Sequence, residues 1–347
     1  MLKIKHHEFW NGRLYESPGY IYLAWHCLIR GVGLKTLFKA NYGIEFGGAS
    51  FASKYKIQEH IGLQYFPATQ LLKVKNNTQN LNEAQVFAHK HGYPIILKPD
   101  YGFTGRGVFK VQNEAQLKVL IPYLKIDYLV QKCVDFTVEC GVFYIRHNGK
   151  AHISGINQKH FPTVTGDGTS TLQQLLDAHS RHNHFWKSYL AQHDLTQILK
   201  KGETKRLSDI GSHTLGCMFT HDPELLTPKL ETAVLDIFKN VPGFNYGRMD
   251  LLANSLEDFK KGKFTMVEAN GIEALPTNVF DPKLNVWQSY RILFTHLKQL
   301  AQVAAQNRQQ PAQKITLWQF TKQSLVAKKE VEDQQTHLET LPDLTRI

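Results

Sequence analysis

Arg248 and Asp250 stand two residues apart, as do Glu268 and Asn270, each pair inside a short run rich in apolar residues. Side chains two apart on a strand share a face. The segment 254–263 between the runs carries the Ser, Asp, Lys and Gly of a turn region, so the runs read as paired strands. Pairing would bring three oxygen-bearing side chains together beside an arginine. Hard Mg²⁺ takes such a set, a few carboxylate or amide oxygens, with its other octahedral positions left to phosphate and water. A surface hairpin with its polar residues in water has the same letters, because Asp and Asn are common near strand ends.

Two lysines and a glycine-rich loop come earlier. Lys54 opens a helix expected over 54–61, with Ser53 as its N-cap and Gly62 as its stop. The dipole at a helix start favours anions, so a lysine there suits a bound phosphate, although a solvated lysine is equally consistent. Lys98 ends the buried-strand pattern Pro94 to Leu97, and a loop holding Gly102, Thr104, Gly105 and Gly107 follows at once. Such a loop lets backbone N–H groups approach phosphate oxygens. It lacks the Gly-Lys-Ser/Thr of a Walker loop and the third glycine of a dinucleotide fingerprint. A glycine-rich hairpin turn has similar letters; the lysine at the strand end favours phosphate.

The 347 residues suffice for two or three structural units. No stretch reaches the roughly 18 apolar residues of a membrane span, and the first residues lack a signal peptide's apolar core, so a cytoplasmic protein with no membrane partner is expected. Cys27, Cys133, Cys140 and Cys217 form no Cys-x-x-Cys pair, which fits isolated thiols in a reducing compartment. The net charge of +11 is dispersed in short clusters, which argues against nucleic acid. A basic chain suits a polyphosphate or an acidic substrate, as it suits a merely soluble basic surface.

The remaining elements position these residues. Helices are expected over 82–91, 113–120, 172–179, 226–240 and 286–306, the third with a Ser170/Gln173 capping box. Strands are expected over 127–135, 136–146 and 151–156, the last two joined by a hairpin at Asn148-Gly149. His182, His184 and His193 follow no metal spacing and read as part of a solvated helix. From about Asn307 the chain turns rich in Gln and Lys, then acidic, which reads as a peripheral appendage or partly disordered tail.

In this order the pieces resemble the ATP-grasp superfamily of carboxylate-amine ligases, over roughly 53–307. The resemblance implies an α+β fold in which two α+β subdomains clasp ATP, about 53–130 on the lid side and 131–307 on the metal side. A small N-terminal unit (1–52) stands before them and an appendage (308–347) after. It implies that Lys54 and Lys98 contact the nucleotide, that the loop with Gly102, Thr104, Gly105 and Gly107 covers the phosphates, and that Gln131, Lys132 and Val134 border the adenine. Asp135 would reach the ribose, although the spacing there is shorter than in D-alanine ligases. Asp250, Glu268 and Asn270 match Mg²⁺ ligands, with two ions expected and Mn²⁺ as the alternative. Arg248 matches the catalytic arginine that steadies the transferring phosphoryl group.

The stretch 159–172, with Lys201-Gly202-Glu203 and 211–216, is similar to parts of cyanophycin synthetases and fused glutathione synthetases. The chain departs from the former in having no Gly-Lys-Thr loop, and from D-alanine-D-alanine ligase after Asn270. Lys159, His213 and Glu273 are the expected substrate contacts, as against structural or solvated roles. The implied activity joins a small-molecule carboxylate to an amine through an acyl phosphate. A kinase and a non-catalytic nucleotide-binding protein are the rivals; the acid, the amine and the oligomeric state, a homodimer included, stay open.

Overall fold

A computed structural model describes residues 4–49, 51–74, 76–102, 105, 107–179, 181–182, 193–311 and 316–341. Thr104 and His184 lie outside them, with most of the expected histidine-bearing helix. Helices α1 (Gly12–Leu28) and α2 (Leu34–Phe38) come first, then α3 (Lys54–Ile61). The lid-side unit follows as β1 (Thr69–Leu72), α4 (Asn77–His91), β2 (Ile95–Pro99), β3 (Phe109–Val111), α5 (Glu114–Leu120) and β4 (Tyr128–Lys132). The larger unit runs through β5 (Val138–His147), β6 (Lys150–His160), β7 (Thr163–Thr165), α6 (Leu172–Ala178), β8 (Thr204–Arg206), β9 (Met218–His221) and α7 (Pro228–Phe238). It is completed by β10 (Tyr246–Ala253), α8 (Leu256–Lys260), β11 (Thr265–Asn270) and α9 (Val286–Gln306), after which α10 (Leu317–Leu338) ends the described elements.

Two antiparallel sheets organise these elements. The small one has the order β1-β4-β2-β3 and the large one β11-β10-β5-β6-β9. Ile95, Leu97, Val111, Leu117, Tyr128 and Val130 form the core under the small sheet. The large sheet has α7 against one face and α9 against part of the other, the rest of which carries the polar residues Glu139, Lys159, Arg248 and Asp250. Cys140, Val142, Met249 and Leu251 pack with Phe238 of α7, while Phe143, Ile145 and Tyr246 pack with Leu300 and Val303 of α9. Asn148 (φ 51°) and Gly149 (φ 72°) turn the β5–β6 hairpin with the positive angles a tight two-residue turn requires.

The structure moves several expected boundaries for local reasons. Helix α4 begins at Asn77, not 82, because the Asn76 side chain accepts the Gln79 N–H. The capping box before α6 is Thr171/Gln174, one residue later than expected. Ser170 is engaged elsewhere: its N–H and hydroxyl both donate to Asp167. Strand β6 continues to His160, four residues past its expected end, because β9 pairs with residues 157–160.

Residues 4–49 are woven into the larger unit. The buried Asn41 side chain donates to the carbonyls of Gly47 and Tyr246 and accepts the N–H groups of Asn245 and Tyr246. Backbones touch where Gly48 meets Gly271, next to Asn270: a Cβ on Gly48 would lie 2.7 Å from the Gly271 Cα. Gly271→Ala, whose methyl would strike the Gly47 carbonyl, is expected to lower stability by about 1–3 kcal/mol in a denaturant melt and to displace Asn270. The segment expected as an appendage or partly disordered contains the long helix α10, seated against the small sheet through Val331 and Gln334.

Candidate active site

The hairpin β10–β11 pairs Arg248 with Asn270 and Asp250 with Glu268, and a register shift follows at Leu251. Alternation turns Met249 and Leu251 into the core. It leaves Arg248 and Asp250 on the opposite face, in a cleft of about 1510 Å³ between the two sheets. Gly141 on β5 makes room there for the Asn157 side chain beside Arg248, since a Cβ would lie 2.3 Å from the Asn157 Oδ1.

Each carboxylate is held by cations. Arg248 Nε lies 3.2 Å from Asp250 Oδ1, and Lys159 Nζ lies 3.1 Å from Asp250 Oδ2. Lys159 also reaches Glu139 Oε1 at 2.5 Å, its register partner across β5–β6. Burial alone would lower the Lys159 pKa, but Asp250 and Glu139 outweigh it and hold the ammonium above the ordinary lysine range. Lys54 Nζ lies 3.3 Å from Glu268 Oε1. Burial would raise Glu268, yet Lys54 and Lys98 lead a set of cations that brings it down to about 2, keeping it ionised.

Lys98 joins the two units. From β2 of the small sheet its Nζ donates to Gln131 Oε1 and to the Val267 carbonyl of β11, both at 3.0 Å. Gln131 is fixed in turn by donating to Thr69 Oγ1. Burial depresses Lys98 to about 8, with Glu268 opposing the shift. Between about 8 and the ordinary 10.5 the folded chain therefore binds fewer protons than the unfolded one. This group accordingly favours folding as pH rises through that window, whereas any phosphate that needs its charge is held less well. Titration calorimetry with ATP on the free protein is expected to show affinity falling above about pH 8, and Lys98→Arg should flatten that fall.

Of the residues singled out from sequence, Lys54, Lys98, Gly102, Gly105, Gln131, Lys132, Val134, Asp135, Lys159, His213, Arg248, Asp250, Glu268, Asn270 and Glu273 all line this cleft. Gly107 does not: it packs against the Tyr128 hydroxyl, Pro99 and Leu338. The part-buried His213 packs against Phe280, with ring centroids 5.0 Å apart, and desolvation lowers it to about 4, so it stands neutral.

Sequence reasoning missed four contributors. Glu139 is a cleft carboxylate whose only signal is the alternation of β5. Asp100 fixes the start of α3: its carbonyl accepts the Lys54 N–H and its carboxylate the Tyr55 N–H. Gly12, Glu16 and Tyr20, spaced by four along α1, form one wall, and Leu338, Glu339 and Leu341 form another. Neither wall carries a motif.

The donor chemistry of Asp250, Glu268 and Asn270 is all hard oxygen, which fits Mg²⁺ or Mn²⁺. Two carboxylates and a carboxamide make up that set. Among the described residues, no group of three or more His, Cys, Asp or Glu side chains is arranged around a metal position.

The family model of the carbamoyl-phosphate synthase L chain, ATP binding domain, matches residues 58–123, and no curated protein matches the chain. Among solved structures the chain is similar to carboxyaminoimidazole ribonucleotide synthase of Aspergillus clavatus complexed with ATP, at 12% identity and TM-score 0.39, covering 64% of this chain and 44% of that one. A bifunctional glutathione synthetase of Pasteurella multocida is similar at 13% identity and TM-score 0.37, over 70% of this chain and 36% of the other. D-alanyl-alanine synthetase A of Vibrio cholerae is similar at 16% identity and TM-score 0.38, over 74% and 68%. The chain spans less than half the length of the first two, and likeness at these scores assigns no residue a role. The family match spans the segment from α3 to just past α5, which supplies Lys98 and the glycine-rich loop to a cleft bounded by this chain's own two sheets.

Proposed function

We propose that the protein is an ATP-dependent ligase that joins a carboxylate to an amine. The carboxylate oxygen attacks the γ-phosphorus of ATP and ADP leaves; the amine nitrogen then attacks the acyl phosphate carbon, phosphate leaves, and the amine loses a proton. One observation carries the reading: Lys54, Lys98, Lys159 and Arg248 converge with Asp250, Glu268 and Asn270 in a single cleft bounded by both sheets. Phosphoryl transfer is catalysed chiefly by positioning and charge neutralisation, and these side chains are suited to both.

In this reading Lys98 and Lys54 hold phosphate oxygens, and Arg248 faces the transferring group. Asp250, Glu268 and Asn270 would hold Mg²⁺, which supplies charge neutralisation at the phosphates when bound. Lys159 holds Asp250 and Glu139 in place through its two ion pairs. The ligase is favoured over a kinase by the acidic part of the lining: Glu16, whose carboxylate accepts the Tyr20 hydroxyl at 3.1 Å, and Glu273 both line the cleft, and carboxylates suit a co-substrate that carries an ammonium.

The test is ADP release measured against amino acids and small peptides, singly and in pairs. Turnover that requires two co-substrates and yields an amide supports the ligase. Turnover with one, giving a stable phosphate ester, replaces it with a kinase. No turnover with any pair, together with tight ATP binding, leaves a nucleotide-binding protein.

A further inference from the structure

Helix α10 touches both halves of the molecule. Near its start, Phe320 packs between Phe38 and Phe46, with ring centroids 4.8 and 5.1 Å away, on the side of the larger unit. Its second half lies on the small sheet. The buried Gln334 side chain accepts the Lys125 N–H at 2.5 Å and donates to the Tyr123 carbonyl at 2.9 Å, so it satisfies two backbone groups at the end of α5. Val331 is buried in the core of that sheet.

The same half meets both ends of the glycine-rich loop after Lys98. Tyr101, the first residue of the loop, donates its hydroxyl to Glu330 at 2.9 Å. A Cβ on Gly102 would lie 3.9 Å from Val331, and one on Gly107 would lie 3.4 Å from Leu338. Both glycines have positive φ, 142° and 71°, so the backbone there is set in conformations most residues avoid and depends on its neighbours to be held. Leu338, Glu339 and Leu341 continue past these contacts to line the cleft itself.

We infer that α10 is a positioning element of the nucleotide site: Glu330, Val331 and Leu338 fix the two ends of the loop that follows Lys98, and the residues after the helix complete the wall of the cleft. The inference rests on the ATP reading above for its functional half. Its structural half, that the helix holds Tyr101–Gly102 and Gly107–Val108, stands apart from any ligand. A helix that held only the fold would stabilise the whole small sheet evenly. A positioning helix acts on the loop ends, and through them on phosphates more than on the nucleoside.

The experiment combines hydrogen exchange in the nucleotide-free protein with equilibrium binding of ATP and of adenosine. Leu338→Ala is expected to speed exchange about tenfold at the amides of Tyr101, Gly102, Gly107 and Val108 and not along β2 or β4. It should weaken ATP about tenfold and leave adenosine unchanged, with Leu338→Met restoring both because it conserves volume. Tyr101→Phe, which removes a single hydroxyl and folds with its packing kept, should give the same pattern at about fivefold or less. Exchange that stays unchanged, or quickens equally across the small sheet, overturns the inference, as does a matched loss of ATP and adenosine. A parent protein that binds no ATP overturns the nucleotide reading and with it the functional half. The exchange measurement tells that failure apart from failure of the helix role, because it uses no ligand.

Discussion

Glu268→Gln should turn over ATP about 100- to 1,000-fold more slowly than the parent, the range found when one preorganised charge is removed from a reacting centre. The residue occupies the register position opposite Asp250, is ionised down to about pH 2, and is paired with Lys54 at 3.3 Å. Glutamine keeps its shape and loses its charge. Two consequences follow, and they differ in sign. A divalent cation would lose a ligand, so the Mg²⁺ concentration needed for half-maximal turnover should rise. Lys54 and Lys98 would lose their internal counter-charge, so metal-free ATP should bind at least as tightly as before. A steady-state Mg²⁺ titration together with ATP binding in EDTA checks both. A variant with parental turnover and unchanged Mg²⁺ dependence would remove Glu268 from the site.

Lys159→Met is expected to be the most damaging single change to stability, about 3–5 kcal/mol in a urea melt. Lys159 is buried and bridges Glu139 at 2.5 Å and Asp250 at 3.1 Å, so its loss strands a buried and a part-buried carboxylate near each other, with only Arg248 left on Asp250. The sign is decided by the carboxylates left behind and not by the worth of the pair itself, since breaking a buried pair costs far more than replacing it whole. Lys159→Met combined with Glu139→Gln should therefore recover part of the loss. The loss in the single variant should shrink as pH falls, because its stranded carboxylates protonate, and the double variant should show less of that pH dependence. Additive losses in the double variant would show that Lys159 acts through packing alone.

Much of this site was legible in the sequence because strand periodicity is strict. Two residues at spacing two must share a face, so Arg248 with Asp250 and Glu268 with Asn270 could be placed before any coordinates, and the pairing of the two runs did the rest. Lys54 and Lys98 were legible as chemistry at element ends, and the helix over 54–61 and that over 286–306 begin and stop where their caps dictate. Three things were not legible. Glu139 looks like any polar residue on a half-buried strand until Lys159 is found across from it. The wall made by Gly12, Glu16 and Tyr20 depends on α1 packing along α9 nearly three hundred residues later, a contact that no local pattern encodes. The C-terminal segment read as a tail because its composition is polar. Its docking rests on a few residues, Phe320, Val331, Gln334 and Leu338, too sparse to lift an average over the stretch.

The walls of the cleft are written in separate parts of the chain. Lys54, Lys98, Gln131, Asp250 and Glu268 belong to the two sheets or the helix beside them, whereas the lining residues Gly12, Glu16 and Tyr20 come from α1. In the proposed reading, exchanges at the cleft-lining positions Gly12, Glu16, Tyr20 and Glu273 would alter the acceptor side, while Tyr15, bonded to Ser289, and Leu275, whose carbonyl accepts from Arg248, are kept. Laboratory evolution confined to those positions would be the economical way to redirect the proposed ligase.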